Sequence, residues 1–234
     1  MFDSIAPAYD FMNGTMTFGI HRLWRNRTVG EVRRLRPAEI IDIATGTGGL
    51  AIAMARRLPQ AHITGIDLSE KMLEIARRKS AAARLERPID FICADCLSLP
   101  LADNSAAVIT AAYGVRNFAD ISAGYREMLR VLQPGGTLAV LELSTPSGPI
   151  TGPLYRFYTR RIIPVAGRLV SKDARAYSYL QESVAVVPQG DAMLRLMQEA
   201  GFTNTRMRRF TFGTCTLYIG QKPSQPGNNS SQEK

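Results

Sequence analysis

Between Glu39 and Leu143 short apolar runs alternate with longer amphipathic ones, and this alternation constrains the chain more than any other feature. The pattern predicts strands over residues 40–44, 63–67, 91–94, 107–112 and 138–143, and helices over 49–58, 70–85 and 122–132. Ser69 is placed to cap the second helix, with Met72, Leu73 and Ala76 at helical spacing behind it. Pro134-Gly135-Gly136 is expected to stop the third and turn the chain into the next strand. Alternation this regular implies a doubly wound α/β sheet, parallel in its first half. Downstream the rhythm changes. A helix over 191–200 ends at Gly201, and strand-like runs over 205–212 and 214–220 are joined by Gly213 alone. Strands joined so tightly are antiparallel neighbours, because a parallel return needs a crossover.

The first strand–helix turn reads Asp42-Ile43-Ala44-Thr45-Gly46-Thr47-Gly48-Gly49. Glycines there let a ligand approach the backbone closely. Gly46-x-Gly48-x-x-Ala51 also satisfies the dinucleotide fingerprint, and Asp67, ending the second strand, suits ribose hydroxyls in either reading. Two acids separate the cofactors. Asp42, four residues before Gly46, is placed to face the cationic amino group of S-adenosylmethionine, whereas it would repel a pyrophosphate. Asp95, just past the third strand, is placed to accept from an adenine amino group, with Cys96 and Leu97 beside the ring. The parallel sheet closed by an antiparallel hairpin points the same way. The fold expected is α/β, a Rossmann-like class I methyltransferase with a seven-stranded, mostly parallel sheet. Cys93-x-x-Cys96 would need two further Cys or His ligands for a zinc site, and those that remain, Cys215, His21 and His62, are scattered along the chain, so no metal is expected.

Composition bounds the setting. A chain of 234 residues with 45% hydrophobic content fits one large domain. No apolar run approaches the roughly 20 residues that span a bilayer, and no signal peptide is visible. Three cysteines make no disulfide scaffold, so a reducing cytoplasm is expected. The net charge of +9 suits nucleic acid and anionic lipid alike. Residues 156–175, however, interleave Arg156, Arg160, Arg161, Arg168, Lys172 and Arg175 with Phe157, Tyr158, Ile162 and Leu169. That mixture suits an anionic membrane surface, although a solvated helix face has the same composition.

Further segments carry a resemblance: MFDSIAPAYDFMN, HRLWR, DIATGTGG, ITAAYGVRNF, EMLRVLQPGG, LELSTP, SKDARAYSYLQESV and AGFTNTRMRRFTFG. Over roughly residues 1–222 the chain resembles the ubiquinone/menaquinone biosynthesis C-methyltransferase family. The resemblance implies S-adenosylmethionine contacts at Thr47, Asp67, Asp95, Cys96 and near Ala112. Gly46, Gly48, Asp42 and Leu68 complete the expected cofactor set. Departures from the family pattern are Gly49 for a usual aspartate, Ala112 for a frequent serine and Gln133 for a usual lysine. Many relatives also begin upstream of the position matching Met1. The expected organisation is a helical cap or lid over 1–37 and a catalytic domain over 38–222. An insertion at about 146–187 faces substrate and membrane, and a disordered tail covers 223–234.

Methyl transfer to a ring carbon needs that carbon held about 3–3.5 Å from the methyl and the neighbouring quinol hydroxyl ionised or stabilised. The loop after the fourth strand supplies Arg116 for the developing oxyanion and Asn117 to orient the substrate, with Tyr177 a third catalytic candidate. The rival reading of Arg116 is a structural salt bridge. Tyr9, His21 and Tyr179 are secondary, and packing is the rival role for His21.

The substrate expected is a prenylated quinol at the inner face of the cell membrane, with anionic lipid as partner, a homodimer as a further expectation and no nucleic acid. Similarity to members from menaquinone-only bacteria, through YGVRNF, SKDARAYSYLQESV and FTFGTC, favours demethylmenaquinol over a methoxy-polyprenyl-benzoquinol. Other classes weighed are a basic RNA methyltransferase, a dinucleotide oxidoreductase and a cofactor-binding protein without turnover.

Overall fold

The computed structural model describes residues 19–157, 161, 183, 184 and 186–224. In chain order the elements are α1 (Ile20–Arg34), β1 (Glu39–Ile43), α2 (Gly49–Ala55), β2 (His62–Asp67), α3 (Glu70–Ala82), β3 (Asp90–Cys93) and β4 (Ala106–Ala112). Then follow α4 (Ile121–Val131), β5 (Leu132–Leu143), α5 (Thr151–Phe157), α6 (Asp191–Glu199), β6 (Thr203–Phe210) and β7 (Cys215–Gln221). The strands form one seven-stranded sheet in the order β3-β2-β1-β4-β5-β7-β6, parallel from β3 to β5, with β7 antiparallel to both neighbours. The expected fold is the observed one.

Two of the helices begin where a polar side chain caps them. Ser69 Oγ accepts from the Met72 N–H at 3.3 Å to start α3, and Asp120 Oδ1 accepts from the Ala123 N–H at 2.9 Å to start α4. Behind each cap the apolar stripe faces the sheet, Met72, Leu73 and Ala76 in α3 and Tyr125, Met128 and Val131 in α4. Each fully buried Leu, Ile or Met contributes about 1.5–3 kcal/mol. One face of the sheet packs on α4 and α6 around Ile43, Ile109, Leu138 and Val140. The other packs on α1 and α2 around Val29, Val32, Ile40, Met54 and Ile63.

One expected boundary differs. α4 does end before Pro134, but Gln133-Pro134-Gly135-Gly136 is no separating turn: it bulges out within the twelve-residue strand β5, which pairs through Leu132 with Ala106 and resumes at Thr137 with Val108. Gly135 takes φ 77° inside this bulge. Of the insertion, α5 is described, whereas most of 156–175 lies outside the described residues, as do residues 1–18 of the cap and 225–234 of the tail.

Candidate active site

The sheet order reverses between β1 and β4, because β2 and β3 lie on one side of β1 and β5 on the other side of β4. Chain leaving these two strands at their carboxyl ends departs to opposite sides and opens a crevice, the place where open α/β sheets bind ligands. Ala44 (φ 50°) and Tyr113 (φ 61°), each following one of the two strands, are both left-handed without being glycine. Such a conformation costs about 1–2 kcal/mol per residue and gathers at functional sites. Gly46 (φ 57°) and Gly48 (φ 74°) complete the turn after β1. The loop after β4 presses so close that a Cβ on Gly114 would come within 2.5 Å of Ala44 Cβ.

A cavity of about 240 Å³ occupies this crevice, lined by Gly46, Asp67, Leu68, Asp95, Cys96 and Asn117 among the expected site residues, and by Met72, Leu97, Tyr113 and Phe118 besides. Asp67 is fixed there by two backbone donors, the Gly46 N–H to Oδ2 at 2.8 Å and the Ser69 N–H to Oδ1 at 2.9 Å. A carboxylate has about four acceptor positions, more than these two amides fill. Asp95 is exposed, with Oδ1 accepting from the Leu97 N–H at 2.9 Å. Burial pushes the Cys96 thiol up to about 12, so it stays neutral and acts as apolar wall. Cys93 is exposed and Cys96 buried, both as free thiols. Among the described residues no group of His, Cys, Asp or Glu is arranged to hold a metal ion.

Beside the cavity lies a narrower recess walled by Arg25, Asp42, Thr45, Thr47, Gly49 and Ala112. Asp42 is buried and its oxygens are engaged: Thr45 Oγ1–H donates at 2.7 Å and Thr110 Oγ1–H at 2.6 Å. The parallel register aligns Asp42 with Thr110 across β1 and β4. Burial raises this carboxyl from 3.8 to about 6 against the opposing pull of those hydroxyls. Thr47 Oγ1 accepts from Lys79 Nζ at 3.0 Å. Gly48 lines neither space and supplies the turn's conformation.

Arg116 stands behind the cavity wall, not in it. Its side chain is 4% exposed and pairs at 2.7 Å with Glu142, itself 1% exposed, while it also donates to the Tyr113 carbonyl. The Arg116 N–H donates to the second Glu142 oxygen at 3.2 Å. The ion pair named above as the rival reading is therefore present. His21 is buried, and its carbonyl accepts from the Tyr113 hydroxyl at 3.5 Å. Burial holds that tyrosine well above its ordinary value, so it stays protonated. Tyr9, Tyr177 and Tyr179 lie outside the described residues.

Several site residues escaped the sequence reading: Thr45, Thr110, Lys79, Arg25, Arg130 and Glu142. Arg130 ties the loop after β3 by donating to the Leu99 carbonyl at 3.2 Å and the Leu101 carbonyl at 2.9 Å. Its partner Glu127 accepts from the Leu99 N–H at 2.7 Å, so α4 fixes the wall that carries Asp95 to Leu97. Glu142 had a signal available, as the lone acid within the apolar run Leu138–Leu143.

The residues present fit S-adenosyl-L-methionine. Asp67 on the cavity wall, a carboxylate held by two backbone amides, suits a ribose diol, exposed Asp95 and apolar Leu68, Leu97 and Phe118 suit a purine, and the glycine turn leaves room beside them. Solved structures share the fold. A SAM-dependent methyltransferase from Thermotoga maritima superposes with TM-score 0.66 at 18% identity, over 94% of this chain and 97% of that one. Phosphoethanolamine N-methyltransferase 2 of Haemonchus contortus, in complex with S-adenosyl-L-methionine, superposes with TM-score 0.63 at 14% identity, over 85% and 53%. Fold and site together define a Rossmann-like, S-adenosyl-L-methionine-dependent methyltransferase.

The relatives narrow this class. Demethylmenaquinone methyltransferase of Bacteroides fragilis is 43% identical over 222 residues, 95% of this chain and 91% of that protein. The protein of the same name from Thermus thermophilus is 42% identical over 95% of this chain and its own full length. The ubiquinone/menaquinone biosynthesis C-methyltransferase UbiE of Geotalea daltonii is 44% identical, covering 95% and 94%. Residues 1–222 match the ubiE/COQ5 methyltransferase family, and the chain belongs to it.

Proposed function

We propose that this chain methylates a ring carbon of demethylmenaquinol to give menaquinol, the last step of menaquinone synthesis, with S-adenosyl-L-methionine as donor. The observation that carries the reading is identity of 41–43% to proteins named demethylmenaquinone methyltransferase, over 95% of the chain and therefore through the loop after β4 as well as the cofactor turn. S-adenosyl-L-methionine, when bound, supplies an electrophilic sulfonium methyl. The chain's own residues hold and orient. Asp67 and Asp95 hold the nucleoside, and buried Asp42 offers negative charge to the ammonium end. Asn117, on the cavity wall with Phe118 and Gly114, orients a quinol oxygen. Arg116 acts as a positioning residue, pinning this loop to β5 through Glu142 and the Tyr113 carbonyl. Tyr177 remains part of the proposal as a further pocket residue.

The quinol's tail brings the enzyme to a membrane surface bearing anionic lipid. Among the described residues no helix is long and apolar enough to cross a membrane. What supports surface docking is an exposed apolar stripe at helical spacing on and beside α5, Ile150, Leu154 and Phe157, leading into the basic stretch 156–175. Binding to anionic vesicles should weaken with salt; indifference to vesicles at every ionic strength would remove this part. A homodimer and a cytoplasmic setting belong to the same proposal.

Since the Geotalea relative is named for both pathways, 2-methoxy-6-polyprenyl-1,4-benzoquinol is the second substrate to test. Labelled S-adenosyl-L-methionine offered with both quinols decides between them. Label in the naphthoquinol alone supports the proposal, and label in both makes the enzyme dual. Label in the benzoquinol alone, or in neither, overturns it.

A further inference from the structure

We infer that Arg25 is the counter-ion of the carboxylate on the methionine end of S-adenosyl-L-methionine, which makes the recess beside the glycine turn a site for a zwitterion. The inference rests on the cofactor reading above and extends it to a residue on a different element. Arg25 projects from α1, and that helix is anchored to the sheet beside it. Trp24 is buried and its Nε1–H donates to Thr211 Oγ1 at 2.8 Å, while the Thr28 hydroxyl donates back to the Trp24 carbonyl at 3.1 Å. The half-buried guanidinium is thereby laid against Gly49, where a Cβ would overlap its Nη1. A side chain at 49 would displace the guanidinium from this seat.

The recess carries one charge of each sign. Arg25 has no hydrogen bond or carboxylate pair among the described residues, and its electrostatic pull reaches Asp42, whose carboxyl it helps to lower. That pull is only a minor influence on Asp42, which is dominated by burial and by the Thr45 and Thr110 hydroxyls. The remaining walls, among them Ala44, Gly46, Leu50 and Ala112, carry no ionisable side chain apart from the protonated Tyr113. A ligand end bearing an ammonium and a carboxylate on one carbon answers both charges. A pyrophosphate would satisfy Arg25 and be repelled by Asp42, so the same pair also selects against dinucleotides. An arginine holding a carboxylate away from bulk water makes a charge-assisted contact stronger than a neutral hydrogen bond.

The test is an equilibrium titration of S-adenosyl-L-methionine and of its decarboxylated analogue into the full chain and into Arg25→Gln and Arg25→Lys, with each variant's unfolding midpoint measured alongside. Arg25→Gln should weaken the intact cofactor about tenfold or more while leaving the analogue within about twofold. Arg25→Lys should recover part of the preference, and serves in place of the glutamine variant if that fails to fold. Equal weakening of both ligands, or of neither, overturns the assignment and leaves the cofactor reading standing. An unsubstituted chain that binds neither ligand overturns the cofactor reading and the assignment with it.

Discussion

The two walls of the crevice use charge in opposite ways. On the wall after β1, β2 and β3, the Asp67 and Asp95 carboxylates accept from backbone N–H groups at 2.8–2.9 Å and line the cavity. On the wall after β4 and β5, Arg116 and Glu142 are spent on each other at 2.7 Å, out of contact with water. The first arrangement leaves charge available to a ligand. The second uses charge to fix the backbone that carries Asn117 and Phe118. Removing a residue from one wall should therefore damage binding, and from the other, folding.

The largest expected effect falls on the scaffold wall. Glu142→Ala leaves the Arg116 guanidinium buried without its partner and should cost about 3–5 kcal/mol in denaturant unfolding, since that desolvated charge has nowhere to go. A cost under about 1 kcal/mol would mean that the pair opens to solvent and the contrast between the walls is false.

Next comes the ligand wall. Asp67→Asn should weaken S-adenosyl-L-methionine about 10–100-fold by calorimetry, the loss expected for hydrogen bonds to a charged acceptor. Unfolding should shift little, because the remaining oxygen can still accept from a backbone amide.

Asp42 sharpens the comparison, as a charge buried at a cost to the fold and placed beside the ligand. Its folded carboxyl is raised to about 6 from 3.8. Between those values the unfolded chain loses the proton first, so this residue's contribution to stability is complete below about pH 4 and is lost as pH rises through about 6. Asp42→Asn should remove that decline, about 2–3 kcal/mol between the two limits, while weakening the cofactor. A variant whose stability declines with pH as the parent's does would show that Asp42 is not buried ionised.

The smallest effect belongs to the amino ends of the strands, which serve as control. There His62 bridges Glu39 at 2.8 Å and Asp90 at 2.7 Å on the surface. Those two hydrogen bonds raise the imidazole above its ordinary 6.5, so its contribution is present at pH 6 and lost as pH rises through the raised value. All three groups are well exposed, and His62→Ala should cost less than about 1 kcal/mol at pH 6, still less at pH 8, with cofactor affinity unchanged.

Much of this contrast could be read before any coordinates. The alternation up to Leu143 carries the sheet, and Asp67, Asp95 and the glycine turn follow directly from where strands end, because their partners are within a few residues or at the next strand's tip. What could not be read was set by register and crossover. Asp42 finds Thr110 only because β1 lies beside β4, and Arg116 finds Glu142 only because β5 extends past the β4 loop. Arg25 reaches Gly49 from a helix that precedes the sheet altogether. Pro134-Gly135-Gly136 misled for the converse reason: local turn chemistry was right, but the long strand β5 absorbs the turn as a bulge.

The most direct test of the two-wall account measures cofactor dissociation constant and unfolding midpoint together for Asp67→Asn and Glu142→Gln. The account predicts a crossed result: the first variant binds at least about tenfold more weakly at near-parental stability, and the second unfolds markedly earlier while its folded fraction binds as the parent does. Both variants losing affinity and stability in the same proportion would contradict it.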